Sequence, residues 1–161
     1  HQARASVDDA DQAGFTALQR ACGNGSVEAV YFLTRAGADK EIADMWGSWP
    51  LALACEAGMA EIVRLLVSAG AETNHASSID GSTALNRGAT LRRPEVVEIL
   101  IQGGADVNVP DFDASTPLLN SACLDLGRAT HVLLAAGADP NRENKYGLAP
   151  LLVPVQGDCK G

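Results

Sequence analysis

Three histidines, four cysteines and a recurring set of carboxylates are the side chains of this sequence that could ligate a metal or carry acid–base or nucleophilic chemistry. His1, His75 and His131 are scattered along the chain, and no cysteine pair stands at the short spacing of a zinc site, so no metal is expected. The Gly-rich stretch GGADV at 103–107 has no strand pattern leading into it and no Lys-Ser or Lys-Thr after it, which excludes a phosphate loop. Asp39, Glu72, Asp106 and Asp139 recur at one position of a periodic pattern, the mark of carboxylates that hydrogen-bond turn amides. Serine, cysteine and histidine are spread thinly over the periods, and a linear array of that kind does not make three such groups converge as a catalytic triad requires. The chain is therefore read as a non-enzyme with no catalytic residues and no cofactor.

Composition narrows the partners. Twelve Lys and Arg against 20 Asp and Glu give a net charge of −8, and no basic block follows a phosphate backbone, so nucleic acid is not an expected partner. No apolar run approaches the roughly 20 residues of a membrane-spanning helix. Cys22 and Cys55 stand 33 residues apart, at the same place in neighbouring periods. Packed helices lie about 10 Å apart, which is too far for a disulfide between such positions. Cys123 and Cys159 have no obvious partner, and all four cysteines are read as free thiols in an intracellular, reducing compartment, cytoplasm or organelle interior.

The elements that would position any site come from internal repetition. AGADK at 36–40 returns as AGAET at 69–73, GGADV at 103–107 and AGADP at 136–140. A second set keeps the same register: GFTAL at 14–18, GSWPL at 47–51, GSTAL at 81–85, ASTPL at 114–118 and GLAPL at 147–151. Each period parses as a Gly turn, a short helix opening near Thr or Pro, a second turn, and an amphipathic helix ending at Gly-Ala. Thr16 is placed to cap the first helix, and Gly25 to turn the chain toward the second. Val30 and Leu33, then Ile62, Val63, Leu65 and Leu66, then Val96, Val97, Ile99 and Leu100 form a stripe at three- and four-residue spacing that a neighbouring period must cover. Gly37, Gly70, Gly104 and Gly137 stand where a helix end calls for a left-handed residue.

This pattern resembles the ankyrin repeat, most closely in DMWGSWPLALACEAGMAEIVRLLVSAGAETN and DFDASTPLLNSACLDLGRATHVLLAAGADPN, over residues 11–152. The resemblance implies an all-α solenoid of helix-turn-helix units with protruding β-hairpin loops. Residues 1–10 form an N-terminal extension, followed by four repeats, 11–43, 44–77, 78–110 and 111–143, and by a partial fifth with a tail at 144–161. Three departures from the family pattern predict local change. Gly88, Arg92 and Arg93 loosen the inter-helix turn of the third repeat; Asp125, where Gly is usual, and Gly127 reshape that of the fourth; Pro154, Gln156, Gly157 and Asp158 stop the fifth before a second helix.

By the same resemblance, partners are met at the hairpin tips, on the concave face and at the ends of the first helices. Carried onto this chain, the contact residues are Phe15, Met45, Trp46, Trp49, Ile79, Phe112 and Tyr146, read as an apolar ridge of the kind that marks interfaces. Trp49 also fits stacking between neighbours, because it replaces the usual Thr. Asn74, Asn108 and Asn141 resemble hairpin asparagines that hydroxylases modify in some ankyrin proteins, although the hairpin role suffices for them. The expected function is a non-catalytic adaptor or scaffold that binds another protein or complex. Two alternatives are a structural subunit of a large assembly, such as a photosynthetic or respiratory membrane complex, and a regulatory fragment of a larger protein. The start at His1 rather than Met and the apolar run Leu151, Leu152, Val153 and Val155 motivate them, and the run makes a partner covering the C-terminal end an expectation.

Overall fold

A computed structural model describes residues 6–152. Among the described residues, eight helices occur in four antiparallel pairs, α1 (Ala17–Gly23) with α2 (Val27–Arg35), α3 (Pro50–Glu56) with α4 (Ala60–Ser68), α5 (Ala84–Gly88) with α6 (Pro94–Gln102), and α7 (Pro117–Cys123) with α8 (Gly127–Ala135). A 3-10 turn at Pro150–Leu152 follows. First helices pack on first helices and second on second, so the pairs form two rows, and the last turn rests on α7.

Local chemistry explains the repetition. Thr16 and Thr83 each accept a bond from the amide three residues on, while Gln19 and Asn86 reach back to the amides of those threonines, a complete capping box. Thr116 caps α7 by accepting from the Leu119 amide, without the reciprocal bond, since Leu119 has no side-chain acceptor. Gly37, Gly70, Gly104 and Gly137 leave the second helices at φ of +83° to +90°, where a side chain would be strained. The stripe expected from spacing forms one core: Val30, Ile62, Val63, Leu66, Val96, Val97 and Leu100 are buried, with Leu33 and Leu65 partly so. Cys22 and Cys55 are free and buried in it, and burial pushes the Cys22 thiol up to about 12 and that of Cys55 further. Cys123, by contrast, is disulfide-bonded, which corrects its reading as a free thiol. The argument against a bridge covered only positions equivalent between neighbouring repeats, and Cys123 is not in register with Cys22 and Cys55.

The departures behave unequally. Asp125 takes φ +52°, close to the +73° of Gly25 and the +65° of Gly58, so the fourth inter-helix turn keeps its course, contrary to expectation. Asp tolerates the left-handed region better than most residues. The third turn is reshaped: α5 is cut to five residues, and its turn contains no left-handed residue. Arg93 steadies it by donating to the Gly58 carbonyl at 3.1 Å. Ala114 holds φ +59° where the other periods carry Gly, so the fourth finger stores some strain. Val153 to Asp158, His1 and Cys159 lie outside the described residues.

Candidate partner-binding surface

Five fingers project from the helix rows. The base of each is closed by a backbone bond, Asp11 N to Phe15 O, Asp44 N to Ser48 O, Ser77 N to Ser82 O, Asp111 N to Ser115 O, and Asn144 N to Leu148 O, at 2.9–3.0 Å. In four of them the opening Asp or Asn tightens the turn with its side chain. Asp11, Asp44, Asp111 and Asn144 each accept from the amides two and four residues on, at 2.8–3.1 Å. The third finger opens with Ser77 and is one residue longer, and there Asp80 accepts from Ser82 instead. Fingers three to five are tied in series by Phe112 N to Asp80 O at 2.8 Å and Lys145 N to Asp113 O at 2.9 Å.

Three of the four repeated carboxylates bind turn amides as expected; Glu72, 75% exposed, lies instead against His75, at 4.0 Å. Asp39, Asp106 and Asp139 each accept from the amide two residues on, at 2.9 Å. A second ladder joins neighbouring repeats through Asp8 to the Asp39 amide, Glu41 to Glu72, Asn74 to Asp106 and Asn108 to Asp139, at 2.8–2.9 Å. The asparagines Asn74 and Asn108 thus have hairpin roles, and the N-terminal extension supplies the first rung.

The one group among the described residues with metal-ligating spacing lies on this ladder, where Glu41, Glu72 and His75 bring their ligand atoms within 4.8 Å of one another. Glu41 stands in the ladder where later repeats carry Asn, its Oε1 accepts from the Glu72 amide, and its Oε2 lies 3.1 Å from His75 Nδ1. The His75 ring lies against Trp49, with centroids 4.5 Å apart. Glu41 and His75 are thus engaged in joining the hairpins, while the Glu72 carboxylate stays exposed, 4.0 Å from His75 Nδ1; His131 is exposed on α8.

Of the residues expected to meet a partner, Met45, Trp46, Ile79, Phe112 and Tyr146 are 44 to 70% exposed at the finger tips. Phe15 is half-buried under Arg20 and 5.6 Å from the Trp46 ring. Ile79 and Phe112 lean over Gly47 and Gly81 of the preceding fingers, where a Cβ would meet them at 2.8 and 2.4 Å. Trp49 is a correction: it is 0% exposed and cannot touch a partner. It holds the N-cap of α3, in register with the buried caps Thr16, Thr83 and Thr116, so its indole points inward where those hydroxyls do. Its Nε1 is buried without a hydrogen-bond partner.

The fingers overhang a concave groove of about 830 Å³, bordered by Ile79, Phe112 and Tyr146 on one side and by Leu124 at the end of α7 on the other. Glu56, Asp80, Asp111 and Asp113 line it. Arg87 pairs with Glu56, donates to Ser48 and Ser82 at 3.0 Å, and lies 3.7 Å from Asp80. Lys145 pairs with Asp113. Burial raises the Asp111 carboxyl above its ordinary 3.8, a rise reinforced by the Asp113 and Asp80 charges and opposed by the Ser115 and Asp113 amides. Sequence reasoning named the finger tips but not Glu56, Asp111 or Leu124; their signal was position at the base of a finger and at the ends of first helices.

Two family descriptions match the chain, "Ankyrin repeats (3 copies)" over residues 37–111 and "Ankyrin repeat" over residues 13–45. The chain belongs to the ankyrin-repeat family. Ankyrin repeats are generally protein–protein interaction modules and are typically non-catalytic. No curated protein matches this ankyrin chain. Among the described residues, no helix is long and apolar enough to cross a membrane.

Proposed function

We propose that this ankyrin stack is a non-catalytic adaptor that seats part of a partner protein in the concave groove beneath its fingers. The observation that carries the reading is the row Met45, Trp46, Ile79, Phe112 and Tyr146, large apolar side chains left exposed along one edge and, from Ile79 onward, bordering the groove. Exposed apolar rows of that size on a well-packed fold are characteristic of interfaces. Hydrogen exchange of the chain with a copurified partner tests it. Protection is expected at the finger amides around Trp46, Asp80, Phe112 and Tyr146; protection confined to α2, α4, α6 and α8 would place the interface on the opposite row and end the proposal.

A second reading, a constitutive subunit of a larger assembly, is favoured by Leu151 and Leu152, which are 72% and 70% exposed on the last described turn. Adjacent large apolar side chains left bare on a well-packed fold favour association. The isolated chain is expected to self-associate at high concentration, and Leu151→Ser/Leu152→Ser is expected to reduce this with little change in melting. Sedimentation showing a concentration-independent monomer for the unaltered chain would remove the support for this reading.

A further inference from the structure

The chain has seven aromatic residues, and six of them have a ring or a cation against them. Phe15 carries Arg20 at 4.1 Å and pairs with Trp46; Tyr31 carries Arg35 and meets Phe32; Trp49 lies between His75 and Arg87; Tyr146 carries Lys145 at 5.1 Å. Phe112 is the exception among the described residues, with neither a ring nor a cation of the protein against it. Its ring covers Gly81, its backbone amide is tied to Asp80, and it remains 67% exposed.

The surroundings of this open ring are anionic. Asp80, Asp111 and Asp113 line the same groove, together with Glu56. The cations against these four carboxylates are Arg87, committed to Glu56, Ser48 and Ser82 and only loosely to Asp80, and Lys145, committed to Asp113. A negative excess remains around the ring, and burial at Asp111 makes it costly. An aromatic face beside carboxylates attracts a guanidinium or ammonium group through the ring quadrupole and through charge together.

Accepting the groove as the binding face, we propose that its occupant is an extended basic segment of a partner protein. This segment lays one Arg or Lys side chain on the open face of Phe112. Asp80, Asp111 and Asp113 take the charge, and apolar neighbours of the basic residue rest on Ile79 and Tyr146. The family relationship gives no partner chemistry; the unpaired ring and the excess of carboxylates over cations around it do.

The test titrates the full chain, followed by amide shifts, with a short capped peptide of leucine and alanine around a central arginine. The same peptide with neutral citrulline, and with glutamate, in place of arginine serves as comparison. The arginine peptide is expected to shift Asp80, Phe112 and Asp113, and to bind at least about fivefold more tightly than the citrulline peptide, the size of a partly exposed cation–aromatic contact plus a charge pair. Added salt should narrow the gap. Phe112→Leu, which keeps an apolar side chain, and Asp80→Asn/Asp113→Asn should each reduce it. Equal binding of the three peptides in the groove would overturn the cation proposal while leaving the groove as the binding face. Shifts confined to the second-helix row would count against both, and the absence of shifts with any peptide would overturn the proposal. The peptide comparison needs no altered protein, so misfolding of a variant cannot decide it.

Discussion

Replacing Trp49 by Ala is expected to lower the stability of the fold by about 3 to 5 kcal/mol, the usual cost of deleting a large buried aromatic side chain. Trp49 stands at the N-cap of α3, fully buried, between the His75 ring at 4.5 Å and Arg87 at 5.8 Å, and it spans the second and third repeats. A solenoid unit touches only its neighbours, so loss of this contact weakens the one interface on which the two halves of the stack depend. The indole also substitutes for a polar bridge. In the first repeat Gln19 donates to the carbonyls of Ile42 and Ser48 at 2.9 and 3.1 Å, and in the third Asn86 donates to those of Val109 and Ser115 at 3.3 Å. The equivalent residue of the second repeat is Ala52, which has no donor to offer, and the Trp49 Nε1 is itself orphaned.

Trp49→Thr with Ala52→Gln therefore copies the first repeat into the second. The pair is expected to recover at least about 2 kcal/mol of the Trp49→Ala loss, from a restored cap and a buried bridging bond. The two changes should be coupled rather than additive because they rebuild one contact. Urea midpoints of the three variants check this. A Trp49→Ala loss below about 1 kcal/mol would mean that the ring is dispensable and that the stack is held elsewhere.

The stack was legible because its determinants are local and periodic. Thr caps, left-handed glycines and the apolar stripe each sit at a fixed place in a period of 33 residues and agree with one another. Trp49 was grouped with the contact residues for its size, although its place at the usual Thr also fits stacking between neighbours, and burial decides for stacking. Thr16, Thr83 and Thr116 occupy the same position and are all buried, and that comparison alone points the indole inward. Asp125 misled in the opposite direction, since it adopts the conformation its missing glycine would have taken. The groove chemistry was not legible at the same level. It depends on the backbone tie that sets Asp80 beside the Phe112 amide, and on which aromatics have found a cation already. Both are relations between repeats, and a pattern read within each repeat does not contain them.

Replacing Trp46 or Phe112 by Ala is expected to weaken partner binding at least about tenfold, the factor corresponding to about 1.4 kcal/mol, while changing the melting temperature little. The two residues differ in what they give up. Trp46 is 58% exposed and rests on Phe15, so its removal costs one tilted ring contact at the edge of the stack. Phe112 covers Gly81 and otherwise faces solvent, and its backbone bond to Asp80 survives truncation of the side chain. Neither belongs to the buried core that joins the helix rows, which is why the stability change should stay within about 1 kcal/mol. Trp49→Ala serves as the internal contrast, because it should lower melting strongly while altering the finger row only indirectly. Melting and binding to a copurified partner are to be measured on the same preparations. A large fall in melting with unchanged affinity for Trp46→Ala and Phe112→Ala would make these rings supports between fingers, and the partner would have to be sought on another face.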